Sequence, residues 1–396
     1  MFWALTAACA LFFLLVGCAA RNPASAETAA EPALKEETAL YAVKVGKGDA
    51  ILFRAGGKNY LIDAGKAIRW GRVYSALKAL GITRLDGVFL THTDKDHAGG
   101  LMPLALSDIE VGTWYASGYF CEPKKEKNHP ALKAAAVRGQ EVTFLKAGDT
   151  AEGVFTVLAP FELDEADEDD NSLVMRAEVN GFTVLLTGDM ERGEEKQLLK
   201  SSADLSCEVL KVPNHGDNDA CSAKFLARTG AKIAVISTDP VEKPNTPDEL
   251  VLEDIEAAGA TVYRTDLCEG VIRIGYREGK TEVSEFPLPA ATDLKDITVR
   301  IEADKTELIT LTNTGKASAD LTGSYFITLK KEEAFLFPAG TVLEPGESLT
   351  VGTLSTPLET DLVWEEKNVF SEKKEDGVTF FDAAAEPVLA YWIGED

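Results

Sequence analysis

From Leu40 onward, short apolar runs alternate with glycine-rich turns. Tyr41–Val45, Asp49–Ala55 and Lys58–Gly65 are β-rich and punctuated by Gly46, Gly48, Gly56 and Gly57, so three successive strands are expected. A helical stretch follows near Gly71–Leu80, then the apolar strand Gly87–His92. Further strands are expected at Glu141–Leu145, Val154–Ala159, Ser172–Val179, Phe182–Gly188, Glu208–Pro213, Lys232–Thr238, Thr261–Thr265 and Val271–Tyr276. Helical patterns such as Met190–Ser202 and Pro247–Gly259 lie between them. This alternation predicts an α/β domain with buried sheets over residues 40–286. Beyond about Pro287–Asp296 the pattern has period two, frequent turns and no helical stretch. A separate all-β sandwich over 296–396 is expected.

The chain has 396 residues, too many for one compact core, which agrees with two domains. Hydrophobic residues are 45% and charged residues 27%, a globular balance. The net charge of −25 disfavours nucleic acid and anionic lipid as partners of the surface at large. A polyanionic substrate would have to be held by metal ions or a local basic patch. Phe2–Ala20 carries no charge and could just cross a bilayer. Its end, Leu15-Val16-Gly17-Cys18, resembles a bacterial lipobox, which implies a signal peptide over 1–17 and lipid on Cys18. The polar, Ala- and Pro-rich residues 18–39 then read as a flexible tether, and the protein as exported and lipid-anchored. No Lys or Arg precedes the apolar run, and an uncleaved anchor and a cytosolic protein are the other readings. Cys121, Cys207, Cys221 and Cys268 have no zinc-knuckle spacing; a disulfide and plain buried thiols both remain open.

The expected strand Gly87–His92 runs into Thr91-His92-Thr93-Asp94-Lys95-Asp96-His97-Ala98-Gly99-Gly100. Two His and two Asp within six residues, at the end of a buried strand, are hard to explain by packing, because buried Asp needs a partner. Imidazoles and carboxylates are ligands suited to a first-row divalent metal, and the glycines let backbone pass close to one. A solvated polar loop would not need both histidines.

This segment resembles the metal motif of metallo-β-lactamase-fold hydrolases, in the competence-protein (ComEC-type) variant in which Asp94 replaces the second His. Val45-Gly-Lys-Gly-Asp49, Leu61-Ile-Asp63-Ala-Gly, Asn171-Ser172-Leu-Val, Leu186-Thr-Gly-Asp189 and Leu210-Lys-Val-Pro-Asn214-His215 fit the same subfamily in order. The resemblance covers about residues 40–277 and implies a four-layered αββα sandwich. It implies one or two divalent ions, zinc or manganese. His92 and Asp94 would hold one and Asp96, His97 and His215 the other, with Asp189 at or between both. Asp96 and Asp189 are the candidate catalytic carboxylates. Asp49, Asp63, Asn171, Ser172 and Asn214 are candidates for supporting or substrate contacts. Asp63 could brace the ligand loop, and capping a turn is the alternative for Asp49 and Asp63. The chain departs from the pattern in two ways: Asn214-His215 stands where a His pair is usual, and the third His of the wider superfamily is missing near Asn171-Ser172. Three imidazoles and three carboxylates form a harder donor set than a typical zinc site.

No Gly-x-Ser-x-Gly motif supplies a nucleophile. Lys124, Lys125, Lys127 and His129 form a basic cluster that either meets an anionic substrate or is a solvated loop. The acidic run Glu162–Asp170 reads as exposed, with calcium binding as the alternative. In the tail, Glu307–Gly315, Asp320–Gly323, Phe337–Thr341 and Leu343–Glu347 resemble a lamin-tail domain, with Ser324 where a Trp is usual. That resemblance implies an immunoglobulin-like sandwich with a spacer role, or one that binds a cell-surface component. The ComEC-type resemblance implies cleavage of phosphodiesters. The charge implies that these are small or single-stranded, with weak binding of duplex DNA. Ester, thioester or lactone hydrolysis on the same site, and a surface binding protein with a structural metal, are the alternatives.

Overall fold

The computed structural model describes residues 37–120, 128–289, 292–303, 306–370 and 376–393. Cys18, the signal and tether before residue 37, Cys121, Lys124, Lys125 and Lys127 lie outside them. Among the described residues no helix is long and apolar enough to cross a membrane.

Two sheets form the α/β region. The first has the order β15-β14-β1-β2-β3-β4-β5-β6. These strands are β1 (Thr38–Val43), β2 (Ile51–Ala55), β3 (Lys58–Ile62), β4 (Arg84–Leu90), β5 (Glu110–Ser117), β6 (Val142–Leu145), β14 (Gly270–Arg277) and β15 (Lys280–Pro287). The second sheet has the order β13-β12-β11-β10-β9-β8-β7. Its strands are β7 (Thr150–Ala151), β8 (Phe155–Ala159), β9 (Val174–Val179), β10 (Phe182–Leu186), β11 (Val209–Lys211), β12 (Ile233–Ile236) and β13 (Thr261–Arg264).

Side-chain alternation explains the layering. In β1, Leu40 and Ala42 face the second sheet, while Ala39, Tyr41 and Val43 face the helices Trp70–Ala79 and Leu101–Leu106. In β12, Ile233 and Val235 face the first sheet and Ala234 and Ile236 face the helices Arg192–Lys200, Ala223–Thr229 and Glu249–Ala257. Both sheets are therefore covered on both faces, giving αββα layers. Phe53, Phe89 and Phe155 fill the space between them, with centroids 5.8 Å (Phe53–Phe155) and 4.7 Å (Phe89–Phe155) apart. Burying each such ring contributes roughly 1.5–3 kcal/mol. The run β3, β4, β5, β6 is parallel, as is β10, β11, β12, β13. The loops after β3, β4, β10 and β11 carry Asp63, His92, Asp189 and His215, the place where parallel sheets bind ligands.

The C-terminal region is β-rich. One sheet is β16-β17-β22-β23, with β16 (Ile297–Glu302), β17 (Leu308–Asn313), β22 (Ser348–Thr353) and β23 (Leu362–Trp364). Another is β20-β19-β24-β25, with β19 (Tyr325–Thr328), β20 (Ala334–Leu336), β24 (Asp376–Phe381) and β25 (Pro387–Ile393). A short pair joins β18 (Ala319–Asp320) to β21 (Val342–Leu343). This region does not stand apart. Phe326 and Phe380 point into its own core, while Tyr325, Ile327, Phe381 and Ala385 join the core around Trp70 and Tyr74. The Tyr325 hydroxyl donates to Ile68 O (3.0 Å) and accepts from Gly71 N (3.2 Å). Ser75 Oγ donates to Ala383 O at 2.9 Å.

Candidate metal centre

β4 ends where Asp63 takes over its backbone. Asp63 Oδ1 accepts from Thr91 N and Oδ2 from Thr91 Oγ1, both at 2.8 Å, so the chain leaves the sheet one residue before His92. Asp63 Oδ2 also lies 2.7 Å from His97 Nδ1. The turn after β3 therefore holds both ends of the motif loop. Gly100 permits this closeness, since a Cβ there would meet Ala64 O at 2.1 Å. Gly188, at φ +52°, lets the Asp189 loop lie against Thr91 and Ser172, where a Cβ would meet Thr91 Cβ at 2.9 Å. Asp189 N donates to Ser172 Oγ at 3.1 Å. After β11, Asn214 (φ 40°) and His215 (φ 53°) are both left-handed, a strained pair that turns His215 inward.

Hydrogen bonding fixes each imidazole the same way. A carbonyl only accepts, so His215 Nδ1 donates to Ser237 O at 2.8 Å and Nε2 faces inward. His97 Nδ1 donates to the Asp63 carboxylate. Thr91 Oγ1 spends its hydrogen on Asp63, so at 3.1 Å from His92 Nδ1 it accepts, and His92 Nε2 also faces inward. The lone-pair-bearing nitrogens then converge on carboxylates. His97 Nε2 lies 3.1 Å and His215 Nε2 2.9 Å from Asp189 Oδ2, and the two nitrogens are 3.4 Å apart. His215 Nε2 is 3.7 Å from Asp96 Oδ2. His92 Nε2 and Asp189 Oδ1 are buried with no hydrogen bond. Acceptors brought this close require a cation among them, which a proton or a divalent metal can supply. The donor set of imidazole nitrogens and carboxylate oxygens fits a divalent ion. The ligand atoms of His92, His97 and Asp189 lie within 4.8 Å of one another, as do those of Asp96, His97 and His215 and those of His92, Asp94 and Asp169.

The electrostatics record the same demand. Burial lowers the His97 pKa, but Asp189 and Asp63 outweigh it and hold the ring well above the ordinary histidine range. Burial raises Asp189, but His215 and His97 overcome it and hold the carboxyl well below the usual range. Burial lowers His92, helped by the positive charge on His97. Asp169 is pushed up to about 8 by burial and by the Asp189 and Asp94 carboxylates.

Residues 43–239 match the metallo-beta-lactamase superfamily. The α/β region has the metallo-β-lactamase fold. The chain is 29% identical over 288 residues to ComE operon protein 3 of Bacillus subtilis and 31% identical over 248 residues to competence protein ComA of Neisseria gonorrhoeae. Those alignments cover 67% and 62% of this chain but 36% and 33% of the relatives, so the chain spans about a third of the curated relatives it matches. Among solved structures, YhfI of Bacillus subtilis is similar at 13% identity and a TM-score of 0.38, over 57% of this chain and 95% of that one.

Within this metallo-β-lactamase fold the structure brings His92, Asp94, Asp96, His97, Asp189 and His215 together in overlapping groups of ligand atoms. Asp49 is buried and pairs with Lys211 at 2.6 Å, beneath His97 and His215. The Asn171 side chain donates to Asp164 O and Asp167 O and accepts from Asp164 N. Asn214 donates to Glu191 and Asp219. Two expectations need correction. His129 is not part of an exposed basic cluster: it is buried against Phe120 and Phe144, and burial pushes its pKa down to about 4. The acidic run Glu162–Asp170 is not wholly exposed, because Asp170 is buried where it accepts from Glu191 N and Glu194 N at the start of a helix. That anchor carries Asp169 to 3.3 Å from His92 Nε2. Composition pointed to neither Asp169 nor Lys47, whose Nζ lies 2.8 Å from Asp96 Oδ2. Nor did it suggest a pocket of about 270 Å³ lined by Lys66, Ala67, Ile68, Lys95, Asp96 and Glu332, the last from the C-terminal region. Cys207, Cys221 and Cys268 are buried free thiols.

Proposed function

We propose that this chain is an exported, lipid-anchored metallohydrolase that cleaves small or single-stranded phosphodiesters. His92 and Asp94 would hold one divalent ion and Asp96, His97 and His215 the other, with Asp189 at or between both; zinc and manganese both suit the set. A bound divalent ion acidifies water towards neutrality and polarises the substrate's oxygen, and a pair of ions suits in-line attack on phosphorus.

The observation that carries the substrate class is the rim of the cleft. Lys47 pairs with Asp96, Lys66 and Arg69 pair with Glu242, and Lys95 pairs with Glu332. Four cations thus meet three carboxylates on a chain whose net charge is −25. They border the one ligand, Asp96, that lines the open pocket. Such a local patch holds a single phosphate, whereas a long duplex needs many more contacts. The chain's own groups orient the site: Asp63 and Ser237 fix the two inner imidazoles, and Lys47 and Lys66 would bind and orient the anionic group. The competence names of the relatives agree with a nucleic-acid substrate. The C-terminal region resembles a lamin-tail domain, and as part of this proposal it acts as a wall of the cleft that also binds a cell-surface component.

The test is a panel run with zinc or manganese on purified protein: bis(p-nitrophenyl) phosphate, short oligonucleotides, long duplex, and esters, thioesters and lactones. Cleavage of the small phosphodiesters, with slow and salt-sensitive cutting of duplex, is expected. Turnover of esters or lactones alone overturns the reading. For the anchor, a fatty-acid analogue should label the wild type and not Cys18→Ala; equal labelling and membrane retention of both removes that part.

A further inference from the structure

The loop after β8 is fastened to the motif loop at several points. Glu168 Oε1 accepts from Thr93 Oγ1 at 2.5 Å and Thr93 N at 3.3 Å, and Thr93 sits between His92 and Asp94. Asp170 is anchored to the start of the helix Arg192–Lys200, and Asn171 ties down the carbonyls of Asp164 and Asp167. Between these fixed neighbours Asp169 presents Oδ1 to His92 Nε2 at 3.3 Å. His92 is 2% exposed, its Nδ1 is committed to Thr91, and its Nε2 makes no hydrogen bond. Two acceptors therefore face each other across a gap fixed from both sides. Asp94 contributes an oxygen to the same group, within 4.8 Å of the other ligand atoms.

We propose that Asp169 is a protein ligand of the ion on the His92 side. The inference rests on reading His92 and Asp94 as metal ligands. It makes the two positions chemically unlike. The His92 side then has one imidazole among the carboxylates of Asp94, Asp169 and Asp189, a hard, oxygen-rich set suited to manganese. The His97–His215 side has two imidazoles and is suited to zinc.

The full chain, stripped of metal and re-equilibrated, tests this by elemental analysis and by manganese titration followed by electron paramagnetic resonance. Asp169→Ala should lose one ion per chain, or at least about tenfold in manganese affinity, a loss of the size seen when metal-site contacts are removed. Asp169→Asn, which keeps the shape but removes the charge, guards against a folding artefact and should show the same loss with unchanged circular dichroism. Asp169→His should keep metal and move the manganese–zinc competition towards zinc. Unchanged metal content and manganese affinity in both Asp169→Ala and Asp169→Asn overturn this assignment alone. A wild-type chain that takes up no ion overturns it together with the ligand reading beneath it.

Discussion

Lys211 Nζ lies 2.6 Å from Asp49 Oδ2, and both side chains are 2% exposed. The ammonium also donates to Val212 O (2.9 Å) and Gly188 O (3.3 Å), so it ties the loop after β10 to the loop between β1 and β2. Burial would raise Asp49, yet Lys211, His97 and His215 together hold it below the usual carboxylate range. The two sheets are thus joined beneath the imidazoles by a charge pair that water does not reach.

Removing one partner leaves the other charge buried and alone. Lys211→Met should destabilise the fold by roughly 3–5 kcal/mol, measured by urea unfolding. The double variant Lys211→Met/Asp49→Leu should recover much of that loss. Equal destabilisation of the single and double variants would show that the pair does not act as a unit.

His97 offers a pH test. In the metal-free chain its raised pKa keeps the ring protonated at neutral pH, and a metal on Nε2 must expel that proton. Affinity should therefore rise with pH while His97 is protonated, by up to about tenfold per unit, and level off above its pKa. Titration calorimetry at pH 6, 7 and 8 checks the sign; affinity that is flat or falls with pH contradicts it. His97→Ala should lose metal and activity together while the C-terminal core around Phe326 and Phe380 stays folded.

How much of this was legible in the sequence depended on whether the signal was local. The run into His92–His97 could be read because an apolar strand and a ligand cluster are contiguous there. β5 and β15 were not marked: β5 is interrupted by Gly112, and β15, with Lys280, Glu282 and Glu285, is an edge strand in which no residue is fully buried. Asp169 looked like one more solvated acid because what draws it in, the capping of a later helix by Asp170, is a tertiary event. Lys211 reads as a polar break in Glu208–Pro213 until β1 and β11 bring Asp49 to it. The tail's two-faced burial escaped for a related reason. Period two marks a strand with alternating faces, but not which neighbour covers the second face.

That docking can be probed directly. A Cβ on Gly71 would meet Ala385 N at 2.4 Å, backbone that cannot swing away. Gly71→Ala should push the C-terminal region off the helix Trp70–Ala79, lowering stability by about 1–3 kcal/mol. Tyr325→Phe, which loses the bonds to Ile68 and Gly71, should cost about 1–3 kcal/mol through the unpaired groups left behind. Both variants should expose residues 292–297 to proteases. Unaltered melting and protease resistance in both would mean that the interface contributes nothing.

Glu194 gives the last prediction. It is fully buried in the helix Arg192–Lys200, neither carboxylate oxygen has a hydrogen bond, and Asp170 lies close by. Burial, with the Asp170 charge second, raises its pKa well above the ordinary glutamate range. In the unfolded chain the same carboxyl ionises near 4.5. The folded state therefore binds this proton more tightly. Its contribution to stability is full below pH 4.5 and is lost as pH rises towards the folded pKa. At neutral pH folding must keep an acid protonated or bury an unpaired charge. Glu194→Gln removes that cost while keeping the shape, so it should stabilise the protein at pH 7. At pH 4.5 the gain should shrink towards zero. Thermal melts at the two pH values decide it: a variant less stable than wild type at pH 7, or equally stabilised at both, would show that Glu194 is paired in a way this geometry does not contain.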